Sequence, residues 1–229
     1  MSKTVAIHQP NWIPYLGYFD KIRNSDIFVF LDNVTYTKND FINRNKIKTP
    51  DGWCWLTVPV VNKNILKTPI CEVKINNSTN WRKKHWNSIK FNYGRAPHFE
   101  EHRDFFEKTY HSDWRLLAEL NKFLIKKVCT FLGIKGIFVD ASTLDVKGSR
   151  TTLLVDICEA LEADTYLSGI AGKNYIRHDL FEQKNIDITF QEFKSPTYPQ
   201  LHGDFIPNLS IIDYLLNCGG ENLNDFETR

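Results

Sequence analysis

The 229-residue sequence lacks the two commonest phosphate-binding loops, since neither G-x-G-x-x-G nor G-x-x-x-x-G-K-[ST] occurs in it. It also lacks a run of roughly 20 apolar residues, the length that crosses a bilayer, and an amino-terminal stretch with the features of a secretion signal. These absences argue against a P-loop NTPase or a GxGxxG dinucleotide enzyme. They predict a cytoplasmic protein without membrane insertion.

Net charge and paired cysteines are also scarce. The 29 basic and 27 acidic residues are interspersed and leave a net charge of only +2, which argues against a protein that binds nucleic acid through bulk electrostatics. The five cysteines are widely spread and show no C-x-x-C spacing. We therefore predict free structural thiols rather than a disulfide framework, and no metal site.

Aromatic residues are plentiful, at 14% of the chain with six tryptophans. Many of them stand beside charged or amide residues, as in NDFINRN and TNWRKKHW. Such mixtures often line polar pockets for ring-bearing or sugar ligands, although they also serve ordinary cores.

The periodicity of the chain predicts an α/β fold. Apolar strands at 3–7 and 27–31 are joined by a helix at 15–24, which favours parallel pairing. We predict one domain over 1–229, a mainly parallel Rossmann-like sheet flanked by helices. Residues 32–77 form an inserted β-rich lobe, with β-like runs at 53–61 and 70–75, and residues 78–132 a helical segment. The remaining predicted elements are strands at 136–140, 165–167 and 186–193, and helices at 149–163 and from Ser210 to a stop at Gly219.

The stretch HQPNWIPYLGY places His8 directly after the first predicted strand. In open parallel sheets, ligands lie beyond the carboxyl ends of strands, and the N-terminus of the following helix attracts anions. His8 in that position can donate to a phosphate and stabilise a leaving pyrophosphate. The alternative is that His8 caps the strand. The predicted substrate-binding residues of the same stretch are Gln9, Asn11 and Tyr15.

A basic and amide-rich segment follows the second predicted strand. Asp32 ends that strand and should face the same edge as His8, where it would orient a ribose or an amine. Lys38 and Arg44 are predicted to bind phosphate or carboxylate, and the neighbouring Asn43 and Asn45 to bind polar ligand groups, in a polar loop that extends to Lys48. We expect the imidazole of His8 and the guanidinium of Arg44 to lie together at one anion site. The alternative is a solvated basic loop.

Further site residues are predicted on a helix and in two late loops. Trp81, Lys84 and His85 share one side of a helix, with His85 as a general base near its ordinary pKa of about 6.5, although a core tryptophan with solvated neighbours explains the pattern equally well. A strand end and an aromatic loop supply further predicted ligand contacts, which are Ser168, Gly169, Tyr198 and Gln200.

Several stretches together resemble the WbqC-like protein family, whose members are associated with bacterial O-antigen and other surface-polysaccharide gene clusters. The matching stretches are AIHQPNWIPYLGYFDKI, NRNKIK with WLTVPV, TNWRKKHW, TYLSGIAGKNYI, TYPQ and NLSIIDYLLNCG, which run in the family's order and are spread over essentially the full length of the chain. The resemblance implies a role in making or decorating an activated sugar.

The leading hypothesis is an ATP-dependent ligase, with Mg²⁺, that forms an amide on a nucleotide-linked amino sugar through an acyl-adenylate. His8, Lys38, Arg44 and His85 are its predicted catalytic residues. Two alternatives stay open, an acyl- or glycosyltransferase with a pre-activated donor and a non-catalytic sugar-nucleotide-binding protein. The predicted partner in each case is a nucleotide or a nucleotide-linked sugar.

Overall fold

The computed structural model describes residues 2–220, which form two compact units. Unit 1 comprises residues 2–10, 17–34 and 134–194, and unit 2 comprises 11–16, 35–133 and 195–220. The long middle segment of unit 2 is thus inserted in the sequence of unit 1 between its second and third strands.

Unit 1 is built on a five-stranded sheet in which every neighbouring pair is parallel. Its strands are β1 (Thr4–His8), β2 (Ile27–Phe30), β5 (Ile137–Asp140), β6 (Thr165–Ser168) and β7 (Asp187–Phe190). They lie in the order β5-β2-β1-β6-β7. Short apolar runs such as IFVF form these strands because both faces of a parallel sheet are covered.

Helices flank this sheet. They are α1 (Leu16–Arg23), α5 (Thr151–Ala160) and α6 (His178–Glu182). On one face, Val5 and Ile7 pack with Leu153, Ile157 and Phe181 in a buried cluster. The predicted α/β class, with its parallel sheet and flanking helices, is confirmed.

Unit 2 contains an antiparallel hairpin and four helices. The hairpin joins β3 (Arg44–Thr49) to β4 (Gly52–Thr57), and the helices are α2 (Trp81–Tyr93), α3 (Phe99–His111), α4 (Leu117–Phe131) and α7 (Ile211–Cys218). Ser210 caps α7 by accepting a hydrogen bond from the Ile212 N–H, and Gly219 ends it with φ of 73°. Both signals were predicted from sequence.

Two local predictions in this unit are wrong. Residues 44–49, predicted as part of a polar loop, form strand β3, and the run 70–75 contains the 3₁₀ turn Ile70–Glu72 instead of a strand. Pro69 precedes that turn with φ of −59°, a value suited to turn entry. Across residues 2–220, no helix has the length and apolar character that spanning a membrane requires.

Candidate functional site

The carboxyl ends of the unit 1 strands form the first candidate site. Strand order runs outward from β1 to β2 and β5 on one side, and from β6 to β7 on the other, so the order reverses between β1 and β6. Ligands of open α/β sheets bind in the crevice at such a reversal. His8 ends β1, and Ser168 ends the adjacent β6. His8 and Ser168, both predicted to lie at strand ends, therefore lie at the ends of two neighbouring central strands.

His8 is a neutral, partly buried imidazole. Its Nδ1 lies 3.1 Å from the backbone carbonyl oxygen of Gln9, which can only accept, so Nδ1 carries the proton and Nε2 has a lone pair. Burial and the nearby Lys21 lower the pKa of His8 to about 4. The Tyr18 ring meets the imidazole edge-on at 4.8 Å between centroids, and the Tyr18 hydroxyl donates to the same Gln9 carbonyl. At neutral pH, His8 therefore offers a fixed hydrogen-bond acceptor and base.

Lys21 is a residue of this site that the sequence analysis missed. Its side chain is buried, and its Nζ donates to the Ile7 carbonyl at 2.9 Å, one residue before His8. Burial lowers the pKa of the Lys21 amine to about 7. A lysine in an amphipathic helix normally points to solvent, so the pattern of α1 contained no signal for it. Its charge near β1 helps to keep His8 neutral.

Asp32 joins two strand ends at the same edge. It is fully buried, and its carboxylate accepts hydrogen bonds from the Ser142 N–H at 2.8 Å and from the Ser142 hydroxyl at 3.0 Å. Asp32 follows β2 and Ser142 follows β5, so this contact fixes the loops at the edge. The predicted contact between Asp32 and a ribose or amine stays a prediction.

Ser168 and Gly169 form the β6 side of the edge. The Ser168 hydroxyl is buried and donates to the Gly169 carbonyl at 3.1 Å. A side chain at Gly172 would collide with the Ser168 hydroxyl, at 2.1 Å from a Cβ, whereas a Cβ at Gly169 would meet nothing within 4 Å. Gly172 therefore serves internal packing, and Gly169 faces open space in which a ligand has room.

In unit 2, one predicted basic residue, Arg44, lies on the hairpin, and the other, Lys38, lies before it. The Arg44 guanidinium lies over the Trp55 ring at 4.3 Å from its centroid and donates to the Asn39 carbonyl at 2.6 Å. Lys38 is exposed in the preceding turn. Asn45 is buried and donates to the Ile13 carbonyl at 2.8 Å, which ties the hairpin to the segment after Pro10. The side-chain amides therefore serve structure here.

Asn43 and two residues of the HQPNWIPYLGY stretch have mixed surroundings. Asn43 is buried, and its amide donates to the Val58 carbonyl at 2.9 Å. Tyr15 is partly buried and pairs with Ser210 in an isolated antiparallel bridge. The Asn11 Oδ1 is buried without a hydrogen-bond partner among the described residues. Of these three residues, Asn11 alone has a buried side-chain oxygen that makes no hydrogen bond among the described residues, and a ligand can donate to it.

His85 lies in a buried ring cluster of unit 2 with Trp12, Trp81 and Tyr110. The centroid of its ring is 5.2 Å from that of Trp81 and 5.9 Å from that of Tyr110. Its Nε2 donates to the Thr57 carbonyl at 3.1 Å, and burial lowers its pKa to about 4. The prediction of a pKa near 6.5 is wrong because the ring is desolvated.

Lys84 departs from the predicted helix face. Trp81 and His85 are buried on α2, but Lys84 between them is exposed to solvent. The spacing i, i+3 and i+4 places three residues on the same side of a helix only approximately. A residue at the boundary of that side can be exposed while its neighbours are buried.

Tyr198 and Gln200 belong to a buried network centred on Asp213. The Asp213 carboxylate accepts hydrogen bonds from the Tyr93 and Tyr198 hydroxyls, each at 2.9 Å, and from the Gln200 amide at 2.7 Å. The Gln200 Oε1 accepts in turn from the Lys48 Nζ at 3.0 Å. Burial raises the pKa of Asp213, and the three donors partly offset that shift. These hydrogen bonds connect the loop that contains Tyr198 and Gln200 to helix α7.

The sequence comparisons decide the family. A family model described as the WbqC-like protein family matches residues 9–225. The chain belongs to the WbqC-like protein family. The "Uncharacterized protein Rv1507c" of Mycobacterium tuberculosis (strain ATCC 25618 / H37Rv) is 37% identical to it over 221 residues, which are 96% of this chain and 95% of that protein. The comparison with solved structures gives no match.

In this WbqC-like chain, the predicted site residues fall into two sets. Unit 1 holds His8, Gln9, Asp32, Ser168 and Gly169. The others lie in unit 2, and they are Asn11, Tyr15, Lys38, Asn43, Arg44, Asn45, Trp81, Lys84, His85, Tyr198 and Gln200. Within residues 2–220, no three His, Cys, Asp or Glu side chains are grouped as metal ligands. The expected meeting of His8 and Arg44 at one anion site stays a prediction.

The low pKa of His85 in this WbqC-like chain predicts a pH-dependent stability. Because the folded state binds this proton less tightly than the unfolded chain, stability is complete above about pH 6.5 and falls as the pH drops toward 4. The shift corresponds to a loss of roughly 2 kcal/mol at pH 5. Urea unfolding of His85→Gln should depend less on pH than that of the wild type, while the exposed His178→Gln should match the wild type. Equal pH dependence in His85→Gln and wild type would contradict this account.

Proposed function

We propose that this protein is a nucleotide-dependent enzyme of surface-polysaccharide synthesis that forms an amide on a nucleotide-linked amino sugar. One observation carries the proposal, the reversal of strand order between β1 and β6 with His8 and Ser168 at the two strand ends. This is the place where α/β sheets of the same strand order bind nucleotides. The open space at Gly169 supports the same location. The resemblance that led to a sugar substrate supplies the biological setting.

The reaction proceeds in two steps in this proposal. The carboxylate of a small acid attacks the α-phosphorus of ATP, and the bond to pyrophosphate breaks, which gives an acyl-adenylate. The sugar amine then attacks the acyl carbon, AMP leaves with the bonding electrons, and the amine loses a proton. Such transfers depend mainly on positioning and charge stabilisation.

His8 has a defined role in this scheme. With its Nδ1 proton held by the Gln9 carbonyl, the Nε2 lone pair accepts a hydrogen bond from the attacking amine and takes its proton as the amide forms. The neutral imidazole does not bind an anion by charge, so this role differs from the phosphate donor inferred from sequence. The predicted phosphate binding by Lys38 and Arg44 is tested separately with Lys38→Ala and Arg44→Ala.

The experiment is an incubation of the purified chain with ATP, Mg²⁺, an amino-sugar nucleotide and a pool of small acids. We expect pyrophosphate release that depends on both the acid and the sugar, and an amide product detected by mass spectrometry. Product without pyrophosphate would favour a transferase with a pre-activated donor. Tight binding of the sugar nucleotide without turnover would favour a non-catalytic binding protein.

A further inference from the structure

Unit 2 contains a cavity of about 430 Å³ between helices α2 and α3, which we call the α2–α3 cavity. Its volume lies within the range of small-molecule sites. Its wall is mostly polar, and the residues that matter for its chemistry are Asn80, Arg82, Lys83, Asn87, Lys90 and Tyr110. None of these six belongs to the predicted site residues. All of them lie in unit 2, so the inference that follows does not depend on nucleotide binding by unit 1.

Two residues of the cavity wall carry buried hydrogen-bond donors that have no acceptor among the described residues. The Tyr110 hydroxyl and the Arg82 Nε are buried, and neither makes a hydrogen bond within residues 2–220. Tyr110 as a whole is only 5% exposed. The Arg82 Nη2, by contrast, donates to Asn77 Oδ1 at 3.0 Å and to Asp113 Oδ1 at 2.8 Å. Buried donors are nearly always paired, so these two indicate a ligand that presents acceptor oxygens.

The charges around the cavity favour a negatively charged ligand. Arg82, Lys83 and Lys90 contribute three cationic side chains, and both lysines are exposed on the same stretch of α2. Glu107 is the acidic side chain of the wall, and its Oε1 accepts a hydrogen bond from the Trp86 Nε1 at 3.1 Å. Asp113 pairs with Arg82 from outside the wall, and with it counted the three cations still outnumber the two carboxylates, so an anion would be bound favourably.

The aromatic residues of the wall do not suit a nucleobase. The Trp86 ring is stacked on Phe99 at 6.1 Å and on Tyr110 at 6.4 Å between centroids, and all three rings are buried. A base that binds by stacking needs an exposed ring face. The exposed amides of Asn80 and Asn87 instead offer both donors and acceptors, which match sugar hydroxyl groups.

We propose that the α2–α3 cavity binds a sugar that carries a carboxylate or a phosphate group. The anionic group lies against Lys83, Lys90 and the Arg82 Nε, and a sugar oxygen accepts the Tyr110 hydroxyl proton. The hydroxyl groups of the sugar meet the amides of Asn80 and Asn87. A hexuronate and a hexose phosphate share this chemistry, and the binding experiment distinguishes them.

The test is calorimetric titration of the whole chain, without nucleotide, with D-glucuronate, glucose 1-phosphate, glucose and inorganic phosphate. We expect one of the two anionic sugars to bind at least 10-fold more tightly than either glucose or phosphate. The double variant Lys83→Gln/Lys90→Gln should lose at least 10-fold in that affinity. Lys108→Gln, an exposed lysine on α3 outside the cavity wall, should bind as the wild type does.

Three results would overturn the proposal. They are an absence of binding by both anionic sugars, binding of inorganic phosphate or glucose as tight as that of the tighter anionic sugar, and unchanged affinity in the double variant. Tyr110→Phe gives an independent readout because it removes a buried hydroxyl that has no protein partner. We expect weaker sugar binding, by about 5-fold or more, with an unfolding midpoint equal to or above that of the wild type. A lower midpoint with unchanged affinity would show that the hydroxyl serves folding.

Discussion

His8→Ala should lower the rate of amide formation by at least about 100-fold while leaving thermal stability nearly unchanged. The imidazole stands at the end of β1, where the strand order reverses, with its Nε2 lone pair available. Its hydrogen bond to protein runs to the adjacent Gln9 carbonyl, so its removal disturbs little packing beyond the contact with Tyr18. Rate and melting temperature, measured on the same preparation, separate catalysis from folding.

The pH profile sharpens this test. Because the neutral form of His8 is active in the proposed mechanism and its pKa is about 4, kcat at a saturating concentration of the amino-sugar nucleotide should stay level as the pH falls from 7 to 5, whereas kcat/KM also reports protonation of the free sugar amine. A decline centred near pH 6.5 would point to a different base. The matched control is His178→Ala, an exposed histidine on α6 of the same unit, which should retain full activity. A large fall in melting temperature with full activity in His8→Ala would instead support a strand-capping role.

The parallel sheet was predictable because its strands are short apolar runs that alternate with amphipathic helices. Strand β3 was not, since it contains one apolar residue, Ile47, among an arginine, an asparagine, two lysines and a threonine. Two of its polar residues, Asn45 and Lys48, are buried because backbone carbonyls and the Gln200 side chain accept their hydrogen bonds. The local sequence gives no information about those distant partners. A polar segment of this kind is therefore predicted as a loop even when it folds as a buried strand.

The candidate site was predictable where strand ends determine position and was missed where burial determines chemistry. His8 and Ser168 follow directly from their strands. The buried state of Lys21 and the lowered pKa values of His8 and His85 depend on tertiary packing. The roles of Tyr198 and Gln200 depend on Asp213, which forms an S-x-x-D helix-start pattern with Ser210 and was not among the predicted site residues. The position of Asp213 three residues after Ser210 indicates a helix start but gives no sign that its carboxylate is fully buried.

The buried network around Asp213 carries the largest expected effect on stability. Its carboxylate accepts from two tyrosine hydroxyls and one amide, and Gln200 connects it to the fully buried Lys48. Lys48 also donates to the backbone carbonyls of Gly203 and Asp204. A charge inside such a network is stable only while its partners remain, because water cannot replace them.

Asp213→Ala should therefore lower the free energy of unfolding by roughly 3–5 kcal/mol, measured by guanidinium denaturation. The substitution leaves Tyr93, Tyr198 and Gln200 with unpaired donors and removes the negative charge nearest to Lys48 within the network. Asp213→Asn keeps the shape and one acceptor oxygen, so its effect should be smaller. Asp204→Asn, on an exposed side chain of the same loop, should change stability by no more than about 0.5 kcal/mol.

A double substitution separates the network from simple packing. If Lys48 and Asp213 stabilise each other, Lys48→Met combined with Asp213→Leu should cost less than the sum of the two single changes, because neither charge is then left buried alone. Strictly additive losses would mean that the two side chains act independently. In that case the loop before α7 would be held by packing around Tyr198 rather than by the buried charges.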